Sequence, residues 1–272
     1  MAGVARVRHN IAVFFPQVRN DLTHSLRTQK LRGIGRDIAR ELAARGHSLI
    51  LVARRRDRLE ELAAELNVPT RILVCDLAEE AECRRLYAET RDDGVDILVN
   101  NAGFGLLGPF AETDLSRELA MIRTNIDAVH ILTKLFLQDF RKKNAGYILN
   151  VASSAAFLPG PLLSGYYATK AYVLRLTQAV AKELSAEGSR VYVGALCPGP
   201  VRTEFDTVAN VQASLSGMDS RAVARIAVRG IFRKKRVITP GFGIKMGRLA
   251  AKILPDRLLL SFAYRTQKKK LG

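Results

Sequence analysis

The sequence has little cysteine and no long apolar run, and each shortage narrows the class of protein. Its 272 residues include three cysteines, Cys75, Cys83 and Cys197, which are odd in number and lack metal-ligand spacing. They indicate a reducing compartment, which we expect to be the cytoplasm, and they predict neither a metal site nor a disulfide framework. No apolar run approaches the ~18 residues of a membrane span. Residues 11–15 form a short apolar run near the N-terminus, but this run lacks the small-residue cleavage site of a signal peptide.

Charge of one sign dominates only at the two ends of the chain. The formal net charge is +17; residues 1–36 carry +6 and residues 229–272 carry +12. The 192 residues between them carry −1. We interpret the ends as solvated basic surface and expect no nucleic acid partner, because the body lacks the common nucleic-acid-binding patterns.

The order of apolar and amphipathic segments predicts the fold class. From about residue 33, short apolar runs alternate with amphipathic stretches, which is typical of an α/β domain with a doubly wound parallel sheet. We predict strands near residues 48–53, 71–75, 96–100, 146–151, 190–196 and 236–239, and helices near 34–44, 57–66, 78–91, 114–142, 167–184 and 219–232. We divide the chain into an atypical segment (1–27), a single main domain (28–240) and a basic amphipathic extension (241–272).

Two short motifs suggest a dinucleotide site. Gly33-Ile34-Gly35 opens the first predicted helix, where glycines let a pyrophosphate approach the unpaired backbone N–H groups. About twenty residues later, the second predicted strand ends at Ala53, and Arg54 follows it. An acid at this point would hold a free ribose 2′-hydroxyl, whereas an arginine suits a 2′-phosphate, which favours NADP(H) over NAD(H). The alternatives are an ordinary turn and a solvated arginine run.

A second group of residues suggests proton transfer. Tyr166 and Lys170 are spaced i, i+4 in a predicted helix, so they share one face. A lysine cation near a tyrosine lowers the phenol pKa, which suits a proton donor or acceptor. Ser153 lies thirteen residues upstream, and Asn125 is an amide within the long predicted helix, where amides are uncommon. Taken singly, each is equally consistent with a capping or solvated polar residue.

These motifs occur in one order and at one spacing: Gly33-x-Gly35, Asp76, Asn100 to Gly103, Asn125, Ser153, Tyr166-x-x-x-Lys170 and Pro198-Gly199. Together they resemble the short-chain dehydrogenase/reductase family over about residues 28–240, in its compact, ketoreductase-like form. The resemblance implies a Rossmann fold and an NADP(H)-dependent enzyme that interconverts a ketone or aldehyde and an alcohol. It also implies a homo-oligomer. The apolar residues within 200–220, which the family uses as a lid, favour an apolar substrate.

The resemblance assigns a role to each motif residue. By this resemblance Tyr166 is the general acid, and Lys170 lowers the pKa of Tyr166 and holds the nicotinamide ribose. Ser153 becomes the donor to the substrate carbonyl, and Asn125 anchors a water in the proton relay. The implied cofactor contacts are Gly33, Ile34, Gly35, Arg54, Asp76, Asn101, Ala102, Gly103, Tyr166, Lys170, Pro198, Gly199 and Thr203.

The N-terminus departs from the family pattern. The family opens with an apolar strand and Thr-Gly-x-x-x-Gly-x-Gly, whereas the first glycine is replaced here by Gln29, after the polar segment 21–27. A glutamine does not readily take the backbone geometry of that glycine. We therefore expect a degenerate phosphate turn and first strand, whose slot either residues 11–15 or residues 22–28 must fill, and we expect 22–28.

Two further hypotheses follow from the ends of the chain. Residues 1–32 have the character of an unrelated reading frame or a wrong start, so the alternative function is a catalytically impaired homologue with defective cofactor binding. Residues 243–264 interleave apolar and basic side chains. They predict a helical cap on the core or on another subunit, with peripheral contact to anionic lipid as the less favoured alternative.

Overall fold

The structure is a computed structural model that describes residues 10–14, 33–202 and 217–269. The described residues form one sheet of seven parallel strands in the order β3-β2-β1-β4-β5-β6-β7. The strands are β1 Asn10–Phe14, β2 Ser48–Ala53, β3 Thr70–Val74, β4 Val95–Asn100, β5 Tyr147–Val151, β6 Tyr192–Leu196 and β7 Val237–Ile238. The helices are α1 Ile34–Ala43, α2 Arg56–Glu65, α3 Glu80–Thr90, α4 Leu115–Ile122, α5 Ala128–Lys143, α6 Ser164–Ala186, α7 Ser220–Phe232, α8 Phe242–Ile253 and α9 Asp256–Lys268.

Helices cover both faces of the sheet, which explains the continuously apolar strands. Helices α1, α2 and α7 contribute Ile38, Leu59 and Val228 to the core on one face. Helices α3 and α5 contribute Leu86 and Phe136 to the core on the other face, together with residues of α6. The predicted α/β class, single domain and doubly wound parallel sheet are confirmed.

The first strand lies at the centre of the sheet, and the prediction that residues 22–28 would fill this slot was wrong. Residues Asn10–Phe14 occupy it, pairing in parallel with β2 on one side and β4 on the other. The slot is enclosed by helices on both faces, so it selects an apolar run such as residues 11–14 over the polar segment 22–28. Val13 is fully buried there.

The connection from β1 to α1 is longer than a tight phosphate turn. Strand β1 ends at Phe14 and α1 begins at Ile34. Residues 15–32, which include Gln29, lie outside the described residues, as does Thr203. The expectation of a degenerate phosphate turn therefore stays a prediction, and so does the hypothesis about the origin of residues 1–32.

The remaining boundaries fall within a few residues of those predicted. The helix predicted over 114–142 is present as α4 and α5, joined by a π-helical turn at Arg123–Asp127. The extension after residue 240 forms helices α8 and α9. Within the described part of the chain, no helix has both the length and the hydropathy to cross a membrane.

Candidate active site

A cavity of about 860 Å³ opens at the carboxyl ends of the strands and extends beneath α8 and α9. The order of the sheet reverses between β1 and β4, and in open α/β sheets this switch point is where ligands bind. The predicted site residues that line the cavity are Gly33, Ile34, Arg54, Asn101, Gly103, Ser153, Tyr166, Lys170, Pro198 and Gly199. The others in the described chain are not part of the lining: Gly35, Ala102 and Asn125 are buried, and Asp76 pairs with Arg54.

Tyr166 and Ser153 meet at the floor of this cavity. Tyr166 is buried near the start of α6, it shares the cavity lining with Ser153, and the Ser153 hydroxyl lowers the pKa of its phenol. Ser153 caps the short 3₁₀ turn that follows β5, where its Oγ accepts from Ala155 N at 3.1 Å. The neighbouring Tyr167 hydroxyl instead accepts from Gln267 Nε2 of α9 at 2.6 Å. The structure therefore places Tyr166 with Ser153 and Tyr167 with Gln267, and the catalytic role of Tyr166 stays a prediction.

Burial dominates the electrostatics of the Tyr166–Lys170 pair. Loss of solvation raises the pKa of Tyr166 to about 12, and the hydrogen bond to Ser153 offsets this only in part. Burial also lowers the pKa of Lys170 to about 8. Burial thus sets the direction of the Tyr166 pKa shift in the described part of the chain, and the expectation that Lys170 lowers this pKa stays a prediction. Tyr166 is consequently protonated at neutral pH.

Lys170 is held in place by the strand beneath it. Its Nζ donates to the carbonyl oxygen of Val151, at the end of β5, over 2.9 Å. The same Nζ lies 5.8 Å from the centroid of the Tyr166 ring. Lys170 is 4% exposed, so water contributes little to its solvation. The spacing of four residues on α6 therefore places ammonium and phenol on one buried face.

Asn125 fixes the loop that follows β4. Its Oδ1 accepts from Phe104 N at 3.0 Å, and its Nδ2 donates to Phe104 O at 2.9 Å and to Thr169 Oγ1 at 3.0 Å. Asn125 lies in the π-helical turn, a feature often found at functional sites. A Cβ on Gly103 would stand 2.8 Å from Asn125 Oδ1 and 3.1 Å from Lys170 Nζ, so the loop approaches both side chains closely. The predicted role of Asn125 in holding a water stays a prediction.

The residues around the cavity fit a nicotinamide dinucleotide. Asn101 Nδ2 is a buried donor with no hydrogen-bond partner among the described residues, and Asn101 lines the cavity. The N-terminus of α1 begins after Gly33, where a Cβ would meet nothing within 4 Å, so the backbone is open to a phosphate. Arg54 lines the cavity near the end of β2, with its Nη1 3.5 Å from Asp76 Oδ2.

A buried polar network that the sequence reasoning missed supports the ends of β4 and β5. Asn100 Nδ2 donates to Asn150 Oδ1 at 2.8 Å and to Thr133 Oγ1 at 3.1 Å. Asn150 Nδ2 donates to Thr177 Oγ1 at 3.0 Å. The two asparagines are paired in register. The available signal was an asparagine in each of two neighbouring apolar strands, which burial permits only with hydrogen-bond partners.

Comparison with known proteins agrees with this geometry. A family model described as short chain dehydrogenase matches residues 26–213. The chain belongs to the short-chain dehydrogenase/reductase family. Like other members of this family, it is an oxidoreductase that uses a nicotinamide dinucleotide.

Individual family members are similar over most of the chain. The 11-beta-hydroxysteroid dehydrogenase 1A of Arabidopsis thaliana is 32% identical over 252 residues, covering 82% of this chain and 70% of the relative. The human very-long-chain 3-oxoacyl-CoA reductase is 33% identical over 181 residues, covering 64% and 57%. The solved short-chain dehydrogenase from Sphingobium yanoikuyae in complex with NADPH is 29% identical, with a TM-score of 0.77 over 90% of this chain and 93% of that one.

Proposed function

We propose that this chain interconverts a ketone or aldehyde and an alcohol on an apolar substrate, with NADP(H) as its preferred cofactor. The observation that carries the proposal is that Tyr166 and Ser153 line the same cavity, with Lys170 Nζ 5.8 Å from the centroid of the Tyr166 ring. A buried phenol next to a hydroxyl donor and a lysine is equipped to move one proton to or from a carbonyl oxygen.

Each side chain contributes a separate step. When bound, the nicotinamide supplies or accepts a hydride at the substrate carbon. Ser153 Oγ donates to the substrate oxygen and stabilises the negative charge that develops there. Tyr166 gives its phenolic proton to that oxygen in the reductive direction, for which its raised pKa keeps it protonated at neutral pH. Lys170 stabilises the resulting phenolate while it carries its proton.

The cofactor contacts follow from the lining of the cavity. Asn101 and Gly103 lie after β4, where a ribose is held in doubly wound folds, and the N-terminus of α1 faces the pyrophosphate. Arg54 supports the 2′-phosphate of NADP(H). Asp76 then serves as the residue that orients Arg54. Pro198 and Gly199 line the cavity and would contact the nicotinamide end, a contact that Thr203 is proposed to complete.

The substrate end of the cavity is apolar. Its lining includes Phe157, Leu158 and Leu163 from the segment after β5, with Ile244 and Leu259 from α8 and α9. An apolar wall of this kind favours substrates with large hydrocarbon surface. Two similar proteins, a hydroxysteroid dehydrogenase and a very-long-chain 3-oxoacyl-CoA reductase, point to the same class.

The proposal is tested with a panel of carbonyl substrates in the presence of NADPH or NADH. The panel includes a steroid ketone, a long-chain 3-oxoacyl thioester and a small polar aldehyde. We expect NADPH oxidation with the apolar ketones and little with the polar aldehyde. Tyr166→Phe serves as the inactive control, since it removes only the proton donor. Turnover that is equal with Tyr166→Phe would exclude this chemistry.

A catalytically impaired homologue is the second candidate. It is favoured by Gln29 and by the nineteen residues, 15–33, that separate β1 from α1 in place of a tight turn. NADPH fluorescence on titration with the full chain separates the two candidates. Binding in the micromolar range supports the active enzyme, and no binding at millimolar cofactor supports the impaired homologue. A homo-oligomeric state stays a prediction that light scattering would test.

A further inference from the structure

Helix α8 turns an apolar stripe toward solvent instead of toward the core. Phe242, Met246, Leu249 and Ile253 follow the 4-3-4 spacing of one helical face, and we call these four residues the apolar stripe. Their exposed fractions are 77%, 47%, 50% and 71%. None of the α8 residues is buried, and the helix meets the rest of the domain through Ile244 and Arg248 on its other side.

Helix α9 adds two exposed apolar side chains after the junction. Leu258 and Phe262 are one helical turn apart and are 57% and 70% exposed, and they form what we call the outer face of α9. The inner face of the same helix packs inward through Leu259 and Ala263. Helix α9 is therefore a cap on the domain, as the sequence favoured, and together α8 and α9 leave six large apolar side chains exposed. Exposed apolar side chains in this number mark interaction sites.

Basic side chains surround this surface. Lys245 and Lys252 flank the apolar stripe on α8, and Arg257 begins α9; all three are exposed. Neither lysine forms an ion pair with a carboxylate among the described residues. Across residues 229–272 the single acid is Asp256, against thirteen lysines and arginines. The surface thus combines apolar side chains with uncompensated positive charge.

We propose that α8 and the outer face of α9 dock on an anionic lipid surface. The positive charge indicates the binding partner. An anionic lipid surface supplies hydrocarbon for the apolar side chains and negative charge for the basic ones. A second copy of this chain is a poor occupant, since a two-fold contact would bring two segments of net charge +12 together.

The docked orientation would place the mouth of the cavity at the lipid surface. Leu258 and Phe262, the outer face of α9, are exposed and also line the cavity. An apolar compound dissolved in the bilayer would therefore reach the cavity without crossing water. This consequence concerns access alone, so docking is testable whether or not the proposed reaction occurs.

The test is co-flotation of the purified full chain with vesicles. Vesicles of equimolar phosphatidylglycerol and phosphatidylcholine are compared with pure phosphatidylcholine, at low ionic strength and at about 0.15 M salt. We expect binding to the anionic vesicles, weakened by salt, and little binding to the neutral ones. No co-flotation with anionic vesicles at low salt overturns the proposal.

Paired variants separate the two parts of the surface. Phe242→Glu with Ile253→Glu is expected to weaken vesicle binding about 100-fold or more, because each buried CH₂ strengthens such binding about fourfold. Lys245→Glu with Lys252→Glu is expected to weaken it at least about 25-fold, at about fivefold for each basic side chain removed. The apolar control is Leu115→Glu on α4, a residue that is 67% exposed. The charge control is Lys142→Glu on α5, whose side chain is 75% exposed.

The same variants identify the competing occupant. All four substituted positions of α8 are exposed and outside the cavity lining, so each variant should keep the melting temperature of the parent. Light scattering is run on parent and variants together. If Phe242→Glu with Ile253→Glu converts a dimer to a monomer while the parent binds no vesicles, the surface is an interface between copies and the lipid proposal fails.

Discussion

Lys170 Nζ lies 5.8 Å from the ring centroid of Tyr166, and burial moves the two pKa values in opposite directions. The pKa of Tyr166 rises to about 12 and that of Lys170 falls to about 8 because each charged form loses solvation. Between these values both groups are predominantly neutral. The site therefore keeps a proton on the phenol oxygen of Tyr166. A negatively charged ligand that favours the protonated form of Lys170 would help Tyr166 to give up that proton.

The lowered pKa of Lys170 predicts a specific pH dependence of stability. The folded value of about 8 lies below the unfolded value of 10.5, so the unfolded chain binds more protons between these pH values. The contribution of Lys170 to stability is therefore smallest below pH 8 and grows as pH rises toward 10.5. A shift of this size corresponds to about 3 kcal/mol.

Replacing the lysine isolates this effect. We expect Lys170→Met to gain about 3 kcal/mol relative to the parent near pH 7, and to lose that advantage above about pH 10.5. Urea unfolding of the cofactor-free chain at both ends of the range measures the difference. Lys182→Met, on the exposed side of α6, is the matched control. Parallel pH profiles for the parent and Lys170→Met would show that Lys170 is not desolvated.

Tyr166 and Tyr167 differ in what their hydroxyls contact, and this predicts different kinetic effects. Tyr166→Phe should lower kcat by at least about 10²-fold while NADPH affinity is retained, because general acid catalysis is worth this much. Tyr167→Phe removes the contact to Gln267 and should alter KM for the substrate more than kcat. Steady-state kinetics on the best ketone of the panel measure both. A larger kcat loss in Tyr167→Phe would reverse the assignment.

Arg54 predicts the cofactor preference. Arg54→Ala should weaken NADPH binding about 10- to 100-fold and NADH binding far less, since a hydrogen bond to a charged group is worth about 1.5–3 kcal/mol. Fluorescence titration with each cofactor measures the ratio. Arg56→Ala is the control, because that side chain is 65% exposed and pairs with Glu60. Equal dissociation constants for NADPH and NADH in the parent would refute the preference.

The grouping of Tyr166 with Lys170 and Ser153 was predictable because their positions are set by spacing along regular elements. Four residues on one helix place Lys170 with Tyr166, and the end of β5 places Ser153 opposite them. The buried network was not predictable from such spacing. Asn100 and Asn150 meet only because β4 and β5 are neighbours in a fixed register, which is a property of the whole sheet.

The direction of the Tyr166 pKa was also beyond the sequence. The pattern Tyr-x-x-x-Lys specifies that a cation is near, and an exposed pair would then lower the phenol pKa. Desolvation depends on all the elements packed around the pair, and it is the larger effect here. The periodicity of apolar residues predicted the positions of most helices. The identity of the central strand could not be predicted in this way, because it depends on the apolar environment between β2 and β4.

The central position of β1 gives the sharpest test of the fold. Val13 is fully buried and is paired with Leu51 of β2 and Val99 of β4. Val13→Ala should cost about 2–3 kcal/mol, from lost burial and the cavity left behind. Val13→Asp places an unpaired carboxylate there, and net stabilities of about 5–15 kcal/mol leave little margin for such a charge. We expect Val13→Asp to lose cooperative thermal unfolding, measured by circular dichroism.

The same measurement also provides the outcome that would contradict this placement. With Asn10–Phe14 at the centre of the sheet, Val13→Asp is damaging because β2 and β4 then pair with a strand that carries a buried charge. A Val13→Asp chain that melts with the midpoint and cooperativity of the parent would therefore remove residues 10–14 from the centre of the sheet.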